Sequence, residues 1–217
     1  MPIVTNILKK HNFQEPIRLA VSNRLAFSEL APLDYLGLLF QTSAHIVQWR
    51  EKDLTPQENL VFVRRGMELA RQSSKNFFVN TLFEMAFEEG ADGAHLTSGQ
   101  DVGAARSTRE HLQGSETLIG KSVHSLEEAE TAEKEGAEYL LLGPIFDPLS
   151  KRSYTSPLGI STLRAVVEAV KTPVFAIGGV DEPHFEEIFK TGAWGAAGIT
   201  WVHREVAKIL TTLPAAP

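Results

Sequence analysis

The 217-residue sequence contains no cysteine, which excludes disulfides, thiolate metal sites and a cysteine nucleophile. It has no apolar run near the ~18 residues that a membrane-spanning helix needs, and its first residues lack the apolar core of a signal peptide. It has no basic block and a net charge of −6, which argues against nucleic acid or an anionic membrane as the main partner. We therefore expect a cytoplasmic enzyme or binding protein that takes a small-molecule ligand.

Short apolar segments alternate with amphipathic ones along almost the whole chain. They predict strands at 17–22, 46–49, 77–80, 93–96, 118–122, 139–142, 174–177 and 195–200, with helices between them. This α/β alternation with no linker predicts a single (β/α)8 TIM barrel over residues 1–217, preceded by a short helix at 3–11. An open doubly wound sheet is the weaker alternative, because no Gly-x-Gly-x-x-Gly turn follows the first strand.

Helix start and stop signals support this alternation. Thr55–Glu58 and Ser125–Glu128 have the capping-box pattern, and Asp181 is placed to cap another helix. A glycine followed by alanine ends three predicted helices just before a strand: Gly90, Gly136 and Gly192. The recurrence of this joint is typical of a repeated helix–strand unit.

The segment 174–200 reads as strand, glycine turn, helix, glycine stop and strand. Gly178 and Gly179 let backbone N–H groups approach a ligand, because no Cβ stands in the way. Gly198 and Thr200 stand at the carboxyl end of the next predicted strand. Two successive strand ends of this kind are where a (β/α)8 barrel binds phosphate, although two tight turns that need glycine for steric reasons alone would look the same.

Polar residues follow several other strands, at the end of the barrel where chemistry gathers. The alternation in Gln48-Trp49-Arg50-Glu51-Lys52 puts the amide and the two cations on one side, where they can bind phosphate oxygens. Other polar residues near strand ends are Asn80, Ser122 and, in the long sixth loop, Ser150 and Lys151. A loop of that length is typical of a lid, and a solvated surface loop is the alternative.

Two histidines lie near strand ends. His124 comes two residues after the fifth strand, next to a helix N-terminus, where the positive field favours a neutral imidazole able to exchange protons. A histidine that only bonds backbone at a helix entry is the alternative for His124. His95 ends the fourth strand, and we expect it to be packed and hydrogen-bonded rather than catalytic.

Several segments, in this order and spacing, resemble the thiamin phosphate synthase and thiazole tautomerase superfamily of (β/α)8 barrels. The resemblance covers roughly residues 17–205. The segments are VQWREKD (47–53), FFVNT (77–81), GADGAHL (90–96), GKSVHSLEEAETAEKEGAEYLLLGPIF (120–146), SK (150–151), PLG (157–159), PVFAIGGV (173–180) and GAWGAAGIT (192–200).

The resemblance implies a small phosphorylated substrate, a thiazole phosphate. Its phosphate would lie on Gly178, Gly179, Gly198 and Thr200. In the synthase branch, a pyrimidine diphosphate would contact Gln48, Arg50, Lys52, Asn80, Ser122 and Lys151, with Ser150 beside it, and Mg²⁺ would bridge the leaving group. Loss of diphosphate leaves a benzylic-type cation, and Mg²⁺ with Arg and Lys stabilises the departing charge.

This sequence departs from the synthase pattern at the implied metal ligands. The synthases have Asn-Asp at the end of the third strand, where this chain has Asn80-Thr81, and a hydroxyl is a poor substitute for a carboxylate on Mg²⁺. Asp101, the other candidate ligand, is one residue out of register. The first threonine of the synthase phosphate loop is Pro148 here.

The tautomerase branch lacks those ligands and needs no metal or other cofactor. Its Leu-x-Ser-Gly and Ser-Val-His-Ser motifs match 96–99 and 122–125, which makes His124 the implied acid/base. The synthase-like 143–146 and the retained Arg50, Lys52 and Asn80 argue the other way. Our first hypothesis is a metal-independent thiazole tautomerase, and the alternatives are a synthase with an altered Mg²⁺ site and a non-catalytic phosphate-ligand binding protein. The sequence leaves the oligomeric state open, a homodimer included.

Overall fold

Eight parallel strands close into a barrel in the computed structural model, which describes residues 16–112, 116–147 and 156–212. Each strand pairs with its sequence neighbours, and β1 pairs with β8 to close the ring. The strands are β1 (Ile17–Val21), β2 (Ile46–Trp49), β3 (Asn76–Asn80), β4 (Gly93–Leu96), β5 (Leu118–Val123), β6 (Tyr139–Leu142), β7 (Val174–Ala176) and β8 (Gly195–Gly198). The predicted (β/α)8 barrel is confirmed.

A helix follows each strand and covers the outside of the barrel. The helices are α1 (Pro32–Leu39), α2 (Pro56–Ser73), α3 (Phe83–Glu89), α4 (Val102–His111), α5 (Leu126–Glu135), α6 (Gly159–Ala169), α7 (Phe185–Phe189) and α8 (Thr200–Thr212). Short 3₁₀ turns at Arg24–Phe27 and Glu182–His184 precede α1 and α7. None of the helices in these described ranges is long and apolar enough to cross a membrane.

Two apolar layers hold the barrel together. Inward-pointing strand residues fill its interior, among them Leu19, Phe78, Tyr139 and Phe175. The outward-pointing residues of the same strands pack against the helices in a larger second cluster. Because both faces of each strand are buried, the strands read as continuous apolar runs instead of alternating ones.

Large side chains inside the barrel fit because glycines stand next to them on neighbouring strands. A Cβ on Gly120 would come 2.0 Å from the ring of Tyr139 on the neighbouring strand. The glycine in β5 is therefore required by the large aromatic ring in β6, which in turn lies against His95 and Phe78.

Two local predictions were wrong in detail, and a third differs only in the kind of helix. Thr200 does not end a strand; β8 stops at Gly198, and Thr200 is the first residue of α8. Asp181 does cap a helix, as predicted, but this helix starts as the short 3₁₀ turn and continues directly as α7. Ser125 does accept from the N–H of Glu128, but the Glu128 carboxylate accepts from the N–H of His124, so the capping box is not reciprocal.

Most of the other capping predictions are confirmed. Thr55 and Glu58 form a reciprocal capping box at the start of α2. Gly90 and Gly136 cap the carboxyl ends of α3 and α5 at positive φ, as predicted. Gly192 also has positive φ, but α7 already ends at Phe189 with Lys190 as its C-cap, so this predicted helix stop was two residues late. The predicted leading helix at 3–11 lies outside the described residues.

Candidate active site

A cavity of about 310 Å³ opens at the carboxyl end of the barrel, beside the ends of β2 and β3. Parallel strands all present their carboxyl ends at this face, so side chains distant in sequence meet there. Arg50, Lys52, Asn80, Thr81 and Thr97 are among its lining residues. Three of the residues that the sequence indicated for the pyrimidine diphosphate, Arg50, Lys52 and Asn80, therefore lie around one cavity.

A chain of hydrogen bonds joins the strands beside this cavity. Nδ2 of Asn80 donates to Oε1 of Gln48 at 3.1 Å, which ties β3 to β2. The Thr81 hydroxyl donates to Oδ1 of Asn80 at 2.8 Å, and the Thr81 carbonyl accepts from Nε2 of Gln100 at 2.8 Å. The chain orients the Asn80 amide from both sides.

Gln48 keeps one unused donor. The residue is only 1% exposed, and its Nε2 atom has no hydrogen-bond partner among the described residues. Leaving a buried donor unpaired is costly unless a ligand or water satisfies it. The Gln48 amide is thus suited to donate to a bound molecule at this end of the barrel.

The guanidinium of Arg50 is half-buried, and the adjacent Glu51 carboxylate stabilises its charge. Burial lowers the pKa of its guanidinium, and the carboxylate of Glu51 acts in the opposite direction. Glu51 is itself buried, and its carboxylate accepts from the N–H of Arg24 at 3.1 Å, while the N–H of Arg50 donates to the Ser22 hydroxyl at 2.8 Å. These contacts attach the backbone after β2 to the end of β1.

The glycine turn after β7 is covered by the loop after β6. Gly178 and Gly179 have φ of 88° and 64°, and the carbonyl of Gly178 accepts from the N–H of Phe146 at 2.9 Å. A Cβ on Gly179 would come 2.5 Å from the backbone of Phe146. The glycines are required here both by φ and by the close approach of the covering loop.

The second half of the predicted phosphate site lies where β8 meets α8. A Cβ on Gly198 would come 2.6 Å from the Trp201 ring, so this position must stay small. Thr200 opens a 13-residue helix, whose first N–H groups and dipole favour an anion. Together with the turn after β7, this is the arrangement of two adjacent strand ends that the sequence indicated.

Ser122 belongs to a second polar group, inside the barrel. Its hydroxyl lies 2.8 Å from Nε2 of His95, and Nδ1 of His95 lies 3.2 Å from the Tyr139 hydroxyl. Burial, with the nearby Arg50 and Lys121 cations, lowers the pKa of His95 to about 3. His95 is therefore packed and hydrogen-bonded, as expected.

His124 lies at the rim rather than in the cavity beside Asn80. Its side chain is 49% exposed, and its Nδ1 lies 3.1 Å from the carboxylate of Glu128. The Glu128 carboxylate also accepts from the His124 N–H at 2.8 Å. His124 is not among the residues that line the 310 Å³ cavity, and neither are Gln48 and Ser122.

The two residues considered for magnesium are otherwise engaged. Oδ1 of Asp101 accepts from the N–H of Ala104 at 2.5 Å and so caps α4. Thr81 offers only a hydroxyl, which already bonds Asn80. Within the described ranges, no three Asp, Glu, His or Cys side chains are grouped as metal ligands, so these residues fit Mg²⁺ poorly.

A larger cavity, of about 650 Å³, lies at the opposite end of the barrel. It is lined by residues around the start of β3, including Lys75, Asn76 and Asp92. The carboxyl ends of the strands face away from it, and none of the indicated site residues lines it. Size alone therefore does not locate the candidate site.

Two of the indicated residues cannot be placed. Ser150 and Lys151 lie outside the described residues, as does Pro148. Conversely, the sequence reasoning missed Glu51, Gln100 and Tyr139. Glu51 and Tyr139 carried a usable signal, since a carboxylate between two cations and a tyrosine opening an otherwise aliphatic strand are both unusual.

A family profile described as thiamine monophosphate synthase matches residues 21–202, from the first strand to the last helix. The chain belongs to this family. The predicted membership of the superfamily is thus confirmed over nearly the whole barrel.

Similar proteins agree with this family assignment. The chain is 38% identical over 164 residues to a thiamine-phosphate synthase of Methanosarcina barkeri, covering 75% of this chain and 72% of that one. It is 34% identical over 171 residues to a thiamine-phosphate synthase of Lactococcus lactis, covering 77% and 78%. Among solved structures, thiamine phosphate pyrophosphorylase from Pyrococcus furiosus is 28% identical with a TM-score of 0.73, covering 91% of this chain and 98% of that one.

Proposed function

We propose that this member of the thiamine monophosphate synthase family is a thiamine-phosphate synthase, which joins a thiazole phosphate to hydroxymethylpyrimidine diphosphate and releases diphosphate. The observation that carries the proposal is the hydrogen bond from Asn80 to Gln48, at the edge of a cavity that is lined by Asn80, Arg50 and Lys52. A tautomerase acting on one thiazole phosphate has no use for this cationic, amide-bearing cavity. We therefore favour the synthase over the tautomerase that the sequence motifs indicated first.

The reaction requires that the negative charge on the departing diphosphate be stabilised. The bond between the pyrimidine methylene carbon and the diphosphate oxygen breaks, and its electron pair leaves with diphosphate. The lone pair of the thiazole ring nitrogen then forms the new C–N bond to the methylene carbon. Arg50, whose partial burial strengthens its electrostatic effect, and Lys52 stabilise the charge on the leaving diphosphate.

The amides hold the pyrimidine in this proposal. The unpaired Nε2 of Gln48 offers a donor and the Asn80 amide is fixed by its neighbours on both sides. Orientation of this kind lowers the barrier by holding the methylene carbon in line with its nucleophile. Ser122, at the end of β5, is assigned to the same substrate, with Ser150 and Lys151 proposed for its diphosphate from the family resemblance alone.

The thiazole phosphate binds in this proposal at the turn after β7 and at the start of α8. Backbone N–H groups at Gly178 and Gly179 and at the start of the helix at Thr200 supply hydrogen-bond donors for the phosphate. This site holds the nucleophile while the cations at β2 hold the leaving group. The separation of the two phosphate sites is what a two-substrate transferase needs.

Magnesium has no matching set of donors among the described residues, since Asp101 caps α4 and position 81 is a threonine. The chain's own cations, Arg50 and Lys52, therefore stabilise the leaving group in this proposal. A dependence on Mg²⁺ would then come from an ion that enters with the diphosphate, which itself carries hard oxygen ligands.

The tautomerase remains a second candidate because of one specific observation. His124 follows β5 directly and its imidazole lies 3.1 Å from the Glu128 carboxylate, an arrangement that can support proton transfer. This reaction would move a proton on a thiazole carboxylate phosphate and would leave Arg50 and Lys52 without a role.

One assay series with the purified protein separates the candidates. We expect thiamine phosphate to form from hydroxymethylpyrimidine diphosphate and thiazole phosphate, measured with and without added Mg²⁺. Isomerisation of the thiazole carboxylate phosphate without any coupling would favour the tautomerase instead. Calorimetric binding of thiazole phosphate with neither reaction would leave a binding protein and overturn both enzymatic candidates.

A further inference from the structure

Three polar side chains form a line across adjacent strands inside the barrel. Tyr139 on β6, His95 on β4 and Ser122 on β5 are joined by contacts of 3.2 Å and 2.8 Å through the two ring nitrogens of His95. Tyr139 and His95 are each only 1% exposed, whereas Ser122 is partly exposed near the end of its strand. The line thus runs from the closed interior to the open face.

The charge state of the line is simple, because burial keeps both rings neutral. Burial, followed by the positive charges of Arg50 and Lys121, lowers the pKa of His95 to about 3, and burial raises the pKa of Tyr139 well above its ordinary value. The imidazole therefore carries one proton, on either Nδ1 or Nε2. Which nitrogen holds it decides the direction of both hydrogen bonds.

The Tyr139 hydroxyl settles the direction. Among the described residues it has no hydrogen-bond partner other than Nδ1 of His95. If Nδ1 carried the proton, the Tyr139 hydroxyl proton would be buried without an acceptor, which costs its full desolvation penalty. If Nε2 carries the proton, Tyr139 donates to Nδ1, His95 donates to Ser122, and both buried groups are satisfied.

We propose that Tyr139 is a positioning residue that, through His95, holds the Ser122 hydroxyl as a hydrogen-bond donor to the substrate. With its oxygen accepting from Nε2, the Ser122 hydroxyl has one proton left, and Ser122 is partly exposed near the end of β5, where that proton can be donated to a ligand. Ser122 therefore selects a substrate that presents an acceptor atom, such as an unprotonated ring nitrogen, and disfavours one that presents an N–H. The substrate part of this inference rests on the synthase proposed above, while the direction of the hydrogen bonds does not.

The direction can be read from the wild-type protein without turnover. Nitrogen NMR of the histidine side chains distinguishes the two neutral tautomers, and the His95 signal among the seven histidines is assigned by its absence in His95→Asn. We expect protonated Nε2 in the wild type and also in Ser122→Ala, since Tyr139 still donates to Nδ1. Protonated Nδ1 in the wild type, or a switch to it in Ser122→Ala, would overturn the proposal.

Tyr139→Phe removes the hydroxyl and keeps the ring that packs against Phe78 and Phe175. We expect the His95 tautomer to become mixed, because neither nitrogen then has a partner that decides the proton. The matched control is Tyr35→Phe, which removes another fully buried tyrosine hydroxyl, one bonded to the N–H of Asn23 instead. An unchanged tautomer in Tyr139→Phe, or an equal change in Tyr35→Phe, would contradict the role given to Tyr139.

Kinetics test the link to Ser122. If both residues act through one hydrogen bond to substrate, Tyr139→Phe and Ser122→Ala should each lower kcat/KM by about three- to tenfold, and the double variant should lose no more than Ser122→Ala alone. If the losses of the two single variants multiply in the double variant, Tyr139 and Ser122 act independently, and the proposed link between them is overturned. If no coupling reaction is found, the proposed function fails, and the tautomer measurement still decides the direction of the hydrogen bonds.

Discussion

Nδ1 of His124 lies 3.1 Å from the Glu128 carboxylate, at the rim of the barrel and outside the cavity beside Asn80. This contact occupies the histidine that the sequence motifs indicated as an acid/base. An exposed pair of this kind contributes little to stability, so substitution of the histidine leaves the fold intact. The pair is therefore a suitable place to separate the two candidate reactions.

His124→Gln should leave the formation of thiamine phosphate unchanged within about twofold, because the proposed synthase chemistry uses no group at this position. Steady-state assay of the coupling reaction checks this. The same variant assayed for isomerisation of the thiazole carboxylate phosphate is the complementary arm. A large loss of coupling activity would return His124 to the catalytic site.

Asp101 caps α4 in this structure, and the sequence also made it a candidate Mg²⁺ ligand. Substitution can separate capping from metal binding. Asp101→Ala should lower the free energy of unfolding by about 1 kcal/mol, whereas Asp101→Ser should restore most of it, because serine also caps helices well. Chemical denaturation measures both. If Asp101→Ser keeps its stability but loses Mg²⁺-dependent activity, the carboxylate binds the metal after all.

Arg50→Lys should lower kcat/KM for the coupling reaction by about 10- to 100-fold, because an ammonium cannot reproduce the planar fork of donors on the diphosphate. Arg65→Lys is the matched control, since Arg65 is exposed on α2 and bonds only Glu68 among the described residues. Steady-state kinetics with both substrates varied checks the pair. Equal rates for the two variants would remove Arg50 from the proposed mechanism.

Gly179→Ala and Gly90→Ala place alanine at similar positive φ, 64° and 71°. Both should lose about 1 kcal/mol of stability through backbone strain. Only at Gly179 would the new Cβ also come 2.5 Å from the Phe146 backbone, since nothing lies within 4 Å at Gly90. Calorimetry should therefore show weaker thiazole phosphate binding for Gly179→Ala alone, and equal binding by both variants would argue against a phosphate site at this turn.

The low pKa of His95, about 3, makes stability depend on pH. An unfolded chain binds a proton at this residue below about pH 6.5, whereas the folded chain does not until about pH 3. Stability contributed by the neutral imidazole is therefore complete above pH 6.5 and is lost as the pH falls towards 3, by at most about 1.4 kcal/mol per pH unit. Denaturation curves across that range check the slope, and an imidazole that titrates near pH 6 by NMR would contradict it.

Much of the barrel could be predicted because its signals are local. Thr55 and Glu58 cap α2 through their own side chains, and Gly136 ends α5 through its own φ. The predicted end of β8 was wrong because the apolar sequence continues past Gly198, whereas the chain already turns into α8 at Thr200. Apolar residues at such a boundary suit either element.

The candidate site was predictable only as a set of strand ends. Parallel strands bring Gln48 and Asn80 to one face, and that follows from topology alone. Whether a polar side chain is available to a ligand depends on what it bonds. Asp101 and Glu128 could not be assigned from sequence, since one carboxylate bonds its own helix and the other bonds His124.

The sequence by itself determined the (β/α)8 barrel, the superfamily and the glycine turn after β7, because periodicity, caps and φ preferences act over a few residues. The tertiary structure alone decided that His124 is turned to Glu128, that Asn80 joins Gln48, and that Tyr139 reaches His95 across the barrel. Hydrogen bonds between strands depend on register, burial and the space left by residues such as Gly120. Those quantities exist only once the barrel has closed.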